Sequence, residues 1–161
     1  MPPKVIQLRV SPEEYAEFVR QIELASVFLL RSKVDNYRGP AAPLNATIQI
    51  EEGEASFDLY EGGFYAYRSL IVRVLDTSAL LAQIDVAFGL QFDSTLPMTE
   101  ELFEVYSEAN LQLTLWPYFR EFAASAFSRM NWQPFTLPTR KAGLEPVLEQ
   151  VKPKKRRSPK T

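Results

Sequence analysis

The chain has 161 residues, enough for one domain around one core, and 46% of them are apolar, which excludes a wholly disordered chain. It contains no cysteine and no histidine, which removes disulfides, thiolate chemistry, the commonest general base and the commonest metal ligand together. The net charge of −2 hides an asymmetry: Lys152, Lys154, Lys155, Arg156, Arg157 and Lys160 leave only twelve cations against twenty acids in residues 1–151.

Residues 1–10 lack the apolar run of a secretory signal, and no stretch approaches the roughly 18 apolar residues of a membrane span. A cytoplasmic protein with no membrane insertion is therefore expected. Ser11-Pro12-Glu13-Glu14 places a cap, a proline at the first helical position and acids in the first turn, which predicts a short helix over 11–20. Residues 22–37, rich in Val, Leu and Phe, read as a strand, although Leu and Ala leave a helix open. Gly39 to Pro43 reads as a loop. Ala46, Ile48 and Ile50 alternate with polar neighbours, which predicts a strand. Gly53 and Gly62-Gly63 punctuate the next stretch, and Phe57-Asp58-Leu59 fits either a strand or a loop. Tyr65 to Leu75 is β-rich and apolar on both faces, and Asp76-Thr77-Ser78 is a turn.

The clearest strand runs from Ala82 to Phe92, with Ala82, Ile84, Val86, Phe88, Leu90 and Phe92 on one face. Thr99-Glu100-Glu101 opens a helix to about Ala109, with Leu102, Phe103 and Tyr106 on one side. Thr114 as a cap and Pro117 in the first turn predict a second helix over 114–130. Its apolar stripe is wider than one core-facing helix needs. Ala123, Ala124, Ser125, Ala126 and Ser128 would let another helix approach closely, from this subunit or another. Trp132 to Pro138 is apolar and broken by prolines, and Leu144 to Val151 fits two weak turns. Strands in sequence followed by helices in sequence predict an α+β domain over residues 1–151, an antiparallel sheet with helices packed on one face. Residues 152–161 form a basic tail expected to be disordered.

Little catalytic chemistry is on offer. No glycine loop fits a phosphate, and Glu100, Glu101, Glu104 and Glu108 at helical spacing read as a solvated face. No catalytic residue, metal ligand set or cofactor is assigned. The twenty aromatic rings exceed what one small core needs, so some are expected in an interface or open groove. Trp132 and Phe135 are the leading candidates, because prolines flank them and loops lie at the surface. The basic tail is the one nucleic-acid element. Pro153 and Pro159, with no interleaved aromatics, favour a solubilising tail over a stacking platform.

Leu115-Trp116-Pro117-Tyr118-Phe119-Arg120-Glu121, followed by Ser125, Ser128-Arg129 and then Pro134, Leu137 and Pro138, resembles the L-F-P-Y-x-R-E helix of the SecB chaperone family and the stretch after it. Agreement in strand pattern extends from Ile22 to Thr139. Pro97 to Leu102 is similar to the acidic lead-in of the SecB-like chaperones encoded beside toxin–antitoxin pairs. The resemblance implies a four-stranded antiparallel sheet, a homotetramer built as a dimer of dimers through the long helices, and ATP-independent holding of unfolded client polypeptide, an antitoxin or a preprotein. It implies client contacts at Trp132, Phe135, Leu137, Trp116, Phe119, Phe103 and Tyr65, and a subunit seam at Ala123, Ala124, Ser125, Ala126 and Ser128. Gln83 and Asp85, on the polar face of the clearest strand, are the implied contacts for the SecA motor. The chain departs from the export chaperone in its extra N-terminal helix, its basic tail, Ala41-Ala42 in place of a loop aromatic, and a polar strand face with one acid. These departures favour a chaperone dedicated to an antitoxin over general export.

Overall fold

The computed structural model describes residues 10–39, 46–132 and Leu137. The first element is helix α1, Pro12–Gln21, where the Ser11 side chain accepts from the Glu14 amide at 3.2 Å. That bond satisfies one of the amides a helix start leaves open. Phe18 is the buried residue of α1. Its ring stands 6.0 Å from Phe64 and 6.3 Å from Tyr106. Gln21 anchors the end of the helix, donating to Ser94 Oγ at 2.8 Å and accepting from the Thr95 amide at 2.7 Å.

Four strands come next: β1 Glu23–Asn36, β2 Ala46–Tyr60, β3 Gly63–Asp76 and β4 Ala79–Asp93. They form one antiparallel sheet in the order β1-β4-β3-β2, so β1 and β2 are its edges. Glu61-Gly62 and Thr77-Ser78 turn the two hairpins, with φ of 97° at Gly62 and 56° at Thr77. Glycine adopts such a φ at no steric cost; a β-branched residue does not.

Bulges explain where alternation was hard to read. In β2 the register shifts between Glu52 and Ala55, so Ile48 and Ile50 share a face with Ala55, Phe57 and Leu59. The parity changes at Gly53, whose missing Cβ would lie 1.9 Å from Ser69 Oγ. Phe57 to Leu59, open between strand and loop, is strand. In β1, shifts between Leu24 and Ser26 and between Leu29 and Arg31 put Leu24, Val27, Leu29 and Val34 on one face. The expected strand over 22–37 is borne out, and so is the alternating strand from Ala82 to Phe92.

The helices lie on one face of the sheet. Helix α2, Glu100–Tyr106, is capped by the Thr99 hydroxyl, which accepts from the Leu102 amide at 3.2 Å. It does not end before the long helix. A π turn over Ser107–Leu111 leads directly into α3, Gln112–Arg129. Thr114 is therefore not a cap; its hydroxyl donates to the Asn110 carbonyl at 3.1 Å. Pro117 sits inside the helix, where it removes one backbone donor. The sequence signal was a Thr-x-x-Pro start, but the preceding helix continues through it.

Helix α3 turns Leu115, Trp116, Phe119, Ala123, Ala126 and Phe127 onto the sheet. Phe119 meets Phe88 of β4 edge to face at 5.2 Å. The helix ends in a Schellman motif. Asn131 takes φ 58° and donates to the Ser128 carbonyl at 3.0 Å, and the Trp132 amide donates to the Phe127 carbonyl at 3.2 Å. The apolar contact that accompanies this motif is here Trp132 stacked on Phe127 at 5.7 Å. The basic tail lies outside the described residues.

Candidate functional site

The residues expected to contact a client fall on both faces of the sheet. Trp116, Phe119, Trp132 and Leu137 come together in the core under α3, and Phe103 is buried under α2. Trp132 is only 4% exposed in the single chain. The Schellman turn swings it back onto Phe127, and its indole N–H donates to the Gly39 carbonyl at 3.0 Å. A loop position flanked by proline was expected to be at the surface; Asn131 is the residue that redirects it. Tyr65 is half-buried on the face away from the helices, 4.8 Å from Tyr60 and 6.3 Å from Phe28. Phe28 lies over Gly89, where a Cβ would come within 2.5 Å of the ring. Phe135 lies outside the described residues.

Two cavities flank α2. The first, of about 630 Å³, lies between α2 and β2, with Phe57, Phe103 and Ala55 among its lining and Glu54, Glu100, Glu101, Glu104 and Glu108 around them. The Phe57 and Phe103 rings meet at 4.7 Å, tilted by 42°. Arg68 closes its inner end by donating to the Ser107 carbonyl at 3.0 Å and pairing with Glu52 at 3.6 Å. Gln112 also donates to Glu52. These bonds tie the π turn to β2 and β3. The cavity opens beside β2, an edge strand of the sheet with no further strand beside it among the described residues. The second cavity, of about 570 Å³, lies between α1 and the start of α2 and has an apolar floor.

Apolar surface also lies on β1. Leu29 and Leu30 are 47% and 49% exposed, and Leu24 and Val34 are exposed beside them. Leu24, Leu29 and Val34 point to the helix side of the sheet, where nothing among the described residues covers them. The sequence offered one signal of this, a strand apolar at both parities that turns out to be an edge.

Of the small residues of α3, Ala123 and Ala126 face the core, Ala124 is half-buried, and Ser125 and Ser128 are exposed. On the open sheet face, Arg31 pairs with Asp85 at 2.9 Å and Arg73 donates to Gln83 at 3.3 Å. Burial pushes the Tyr15 and Tyr106 hydroxyls up to about 12; Tyr15 donates to the Asn110 side chain. Among the described residues, no group of three or more acids could hold a metal ion. No helix among them is long and apolar enough to cross a membrane.

No protein-family model matches this chain, and no curated protein matches it. Among solved structures it is similar to the SecB-like chaperone of Mycobacterium tuberculosis, in complex with a ChAD peptide from the HigA1 antitoxin. The TM-score is 0.68 at 23% identity, over 78% of this chain and 95% of that one. The likeness that Leu115 to Glu121 suggested thus extends to the whole architecture: this chain has the fold of a SecB-like chaperone.

Proposed function

We propose that this protein is an ATP-independent holdase of SecB type that binds unfolded polypeptide, dedicated to an antitoxin. The observation that carries this reading is the pairing of that fold, among the described residues, with exposed apolar side chains on the edge strand β1 and a groove holding Phe57 beside the other edge strand, β2. The similar structure holds an antitoxin peptide, which favours the dedicated role over general export. The engagement of Asp85 by Arg31 weighs the same way, because it leaves the SecA contact proposed at Asp85 and Gln83 with little free acid.

The client lies along the free edge of β2, forming backbone hydrogen bonds there and placing apolar side chains against Phe57 and Phe103. Apolar burial tolerates many sequences. The surrounding glutamates favour clients that mix apolar and basic residues. Trp116, Phe119, Trp132 and Leu137 are buried in the core rather than lining this groove, and Tyr65 offers a separate aromatic patch on the open face.

Assembly uses two seams. An uncovered strand as long and apolar as β1 is a template for pairing, and antiparallel pairing with β1 of a second copy satisfies it symmetrically. Ala124, Ser125 and Ser128 form the outward stripe of α3 through which two such dimers join into a tetramer. The tetramer joins several grooves into one long surface and raises avidity for a long client.

Titration of a fluorescent extended peptide carrying alternating apolar and basic residues tests the groove. Phe57 is half-buried, so Phe57→Ala is expected to weaken binding about tenfold, equivalent to about 1.4 kcal/mol, with the assembly intact. Unchanged affinity in an intact assembly would rule this groove out as the client site.

A further inference from the structure

The groove between α1 and α2 lies on the opposite flank of α2 from the groove beside β2. Its floor is apolar: Leu96 is 41% exposed, Pro97 is exposed and Leu102 is half-buried, over the buried Phe18. Glu13, Glu14 and Glu17 lie along its α1 side, all exposed. Glu17 pairs with Arg20 at 2.8 Å, whereas no ion pair between described residues involves Glu13 or Glu14. Among the described residues, the lining holds no lysine or arginine. Apolar floor and uncompensated acid together complement a segment that is apolar and basic at once.

The groove beside β2 has the same character, with Phe57 and Phe103 beside Glu100, Glu101 and Glu104. One stretch of chain walls both. Thr99 and Leu102 line the α1 side, and Glu100, Glu101 and Phe103 line the β2 side. The partition is α2 itself, about 10–12 Å across with its side chains. About four extended residues span that width. We infer that the α1–α2 groove is a second subsite for the same client: one extended chain crosses α2 and lays a further segment on Leu96, Pro97 and Leu102, with its cations toward Glu13 and Glu14.

This subsite rests on the client reading of the groove beside β2. Charge favours the client over a second copy of this chain, whose residues 1–151 hold twelve cations against twenty acids and would bring an acidic body to an acidic rim. The groove is also preformed. Phe18 of α1 packs against Phe64 and Tyr106, Tyr15 donates to Asn110, and Gln21 accepts from the Thr95 amide next to Leu96. Both walls are therefore fixed before a ligand arrives, which lowers the ordering cost of binding. Neither segment has to bind tightly alone. Two weak contacts on one chain gain about 10²–10⁴ in affinity where the linker spans the sites, and nothing where it does not.

Fluorescence titration of two peptides against the full-length protein tests the subsite. One peptide carries a single segment of alternating apolar and basic residues; the other carries two such segments joined by four polar residues. The joined peptide is expected to bind about a hundredfold more tightly, and deleting its linker is expected to remove most of that gain. Leu96→Asp is expected to weaken the joined peptide about tenfold with the mass of the assembly unchanged. Glu13→Lys with Glu14→Lys is expected to weaken it similarly, and a joined peptide with acids replacing the bases of one segment is expected to recover the loss. A joined peptide no tighter than the single one overturns the subsite, as does an affinity that Leu96→Asp leaves unmoved or moves only by dissociating the assembly. Phe57→Ala separates the two grooves. A loss there without one in Leu96→Asp overturns this subsite and leaves the groove beside β2 standing. A loss in Leu96→Asp without one in Phe57→Ala overturns the groove beside β2 and, with it, the spanning chain.

Discussion

Trp132 links three parts of the molecule through one side chain. Its amide closes the end of α3, its ring covers Phe127, and its indole N–H holds the Gly39 carbonyl beyond β1. Trp132→Ala removes a buried ring and leaves that carbonyl without its donor. The expected loss is about 3–5 kcal/mol, or a melting temperature lower by about 10 °C. A melting temperature within a degree or two of wild type would contradict this placement. Tyr15 and Tyr106 give a second test. An unfolded phenol ionises near pH 10, whereas burial pushes both hydroxyls up to about 12. The folded state therefore holds the protons more tightly. That stability is complete below pH 10 and is lost as pH rises towards 12. Thermal melts across this window are expected to fall, and Tyr106→Phe is expected to shift the fall to higher pH. An identical alkaline profile in the variant would contradict the burial argument.

At the scale of elements, β1 and α3 each show the sheet one face and leave another open. Helix α3 spends Ala123 and Ala126 on the core and keeps Ala124, Ser125 and Ser128 outward. Ala124→Leu or Ser125→Leu is expected to halve the mass of the assembly by light scattering while the melt stays cooperative. Leu29→Lys with Leu30→Lys is expected to halve it through the other seam, and the combination to give monomers. An unchanged mass in any of these would contradict the seam it tests. The elements were legible wherever one local rule dominated. Ser11 and Thr99 announced their caps, and β4 alternates without interruption. They were not legible where the rule was interrupted. Gly53 changes the parity of β2, two bulges change that of β1, and a π turn carries α2 through an apparent start at Thr114. Asn131 is the small signal behind the displacement of Trp132 from surface to core.

At the scale of the whole molecule, the order of strands then helices was enough to expect helices on one face of an antiparallel sheet. The open surface was harder to foresee. Large aromatics suggested a groove wall, yet most of them pack between sheet and helices. Most of the exposed large apolar residues among the described ones are aliphatic, and Leu24, Leu29, Leu30 and Val34 lie on the edge strand β1, which the sequence marked only by being apolar at both parities. With neither histidine nor cysteine, that surface is the main resource the chain offers a partner. The most direct test of holdase activity is light scattering of an aggregation-prone unfolded polypeptide diluted into buffer with the purified full-length protein and no nucleotide. Suppression that saturates near one assembly per client is predicted. Aggregation unaffected at a severalfold excess of assembly would contradict the central claim.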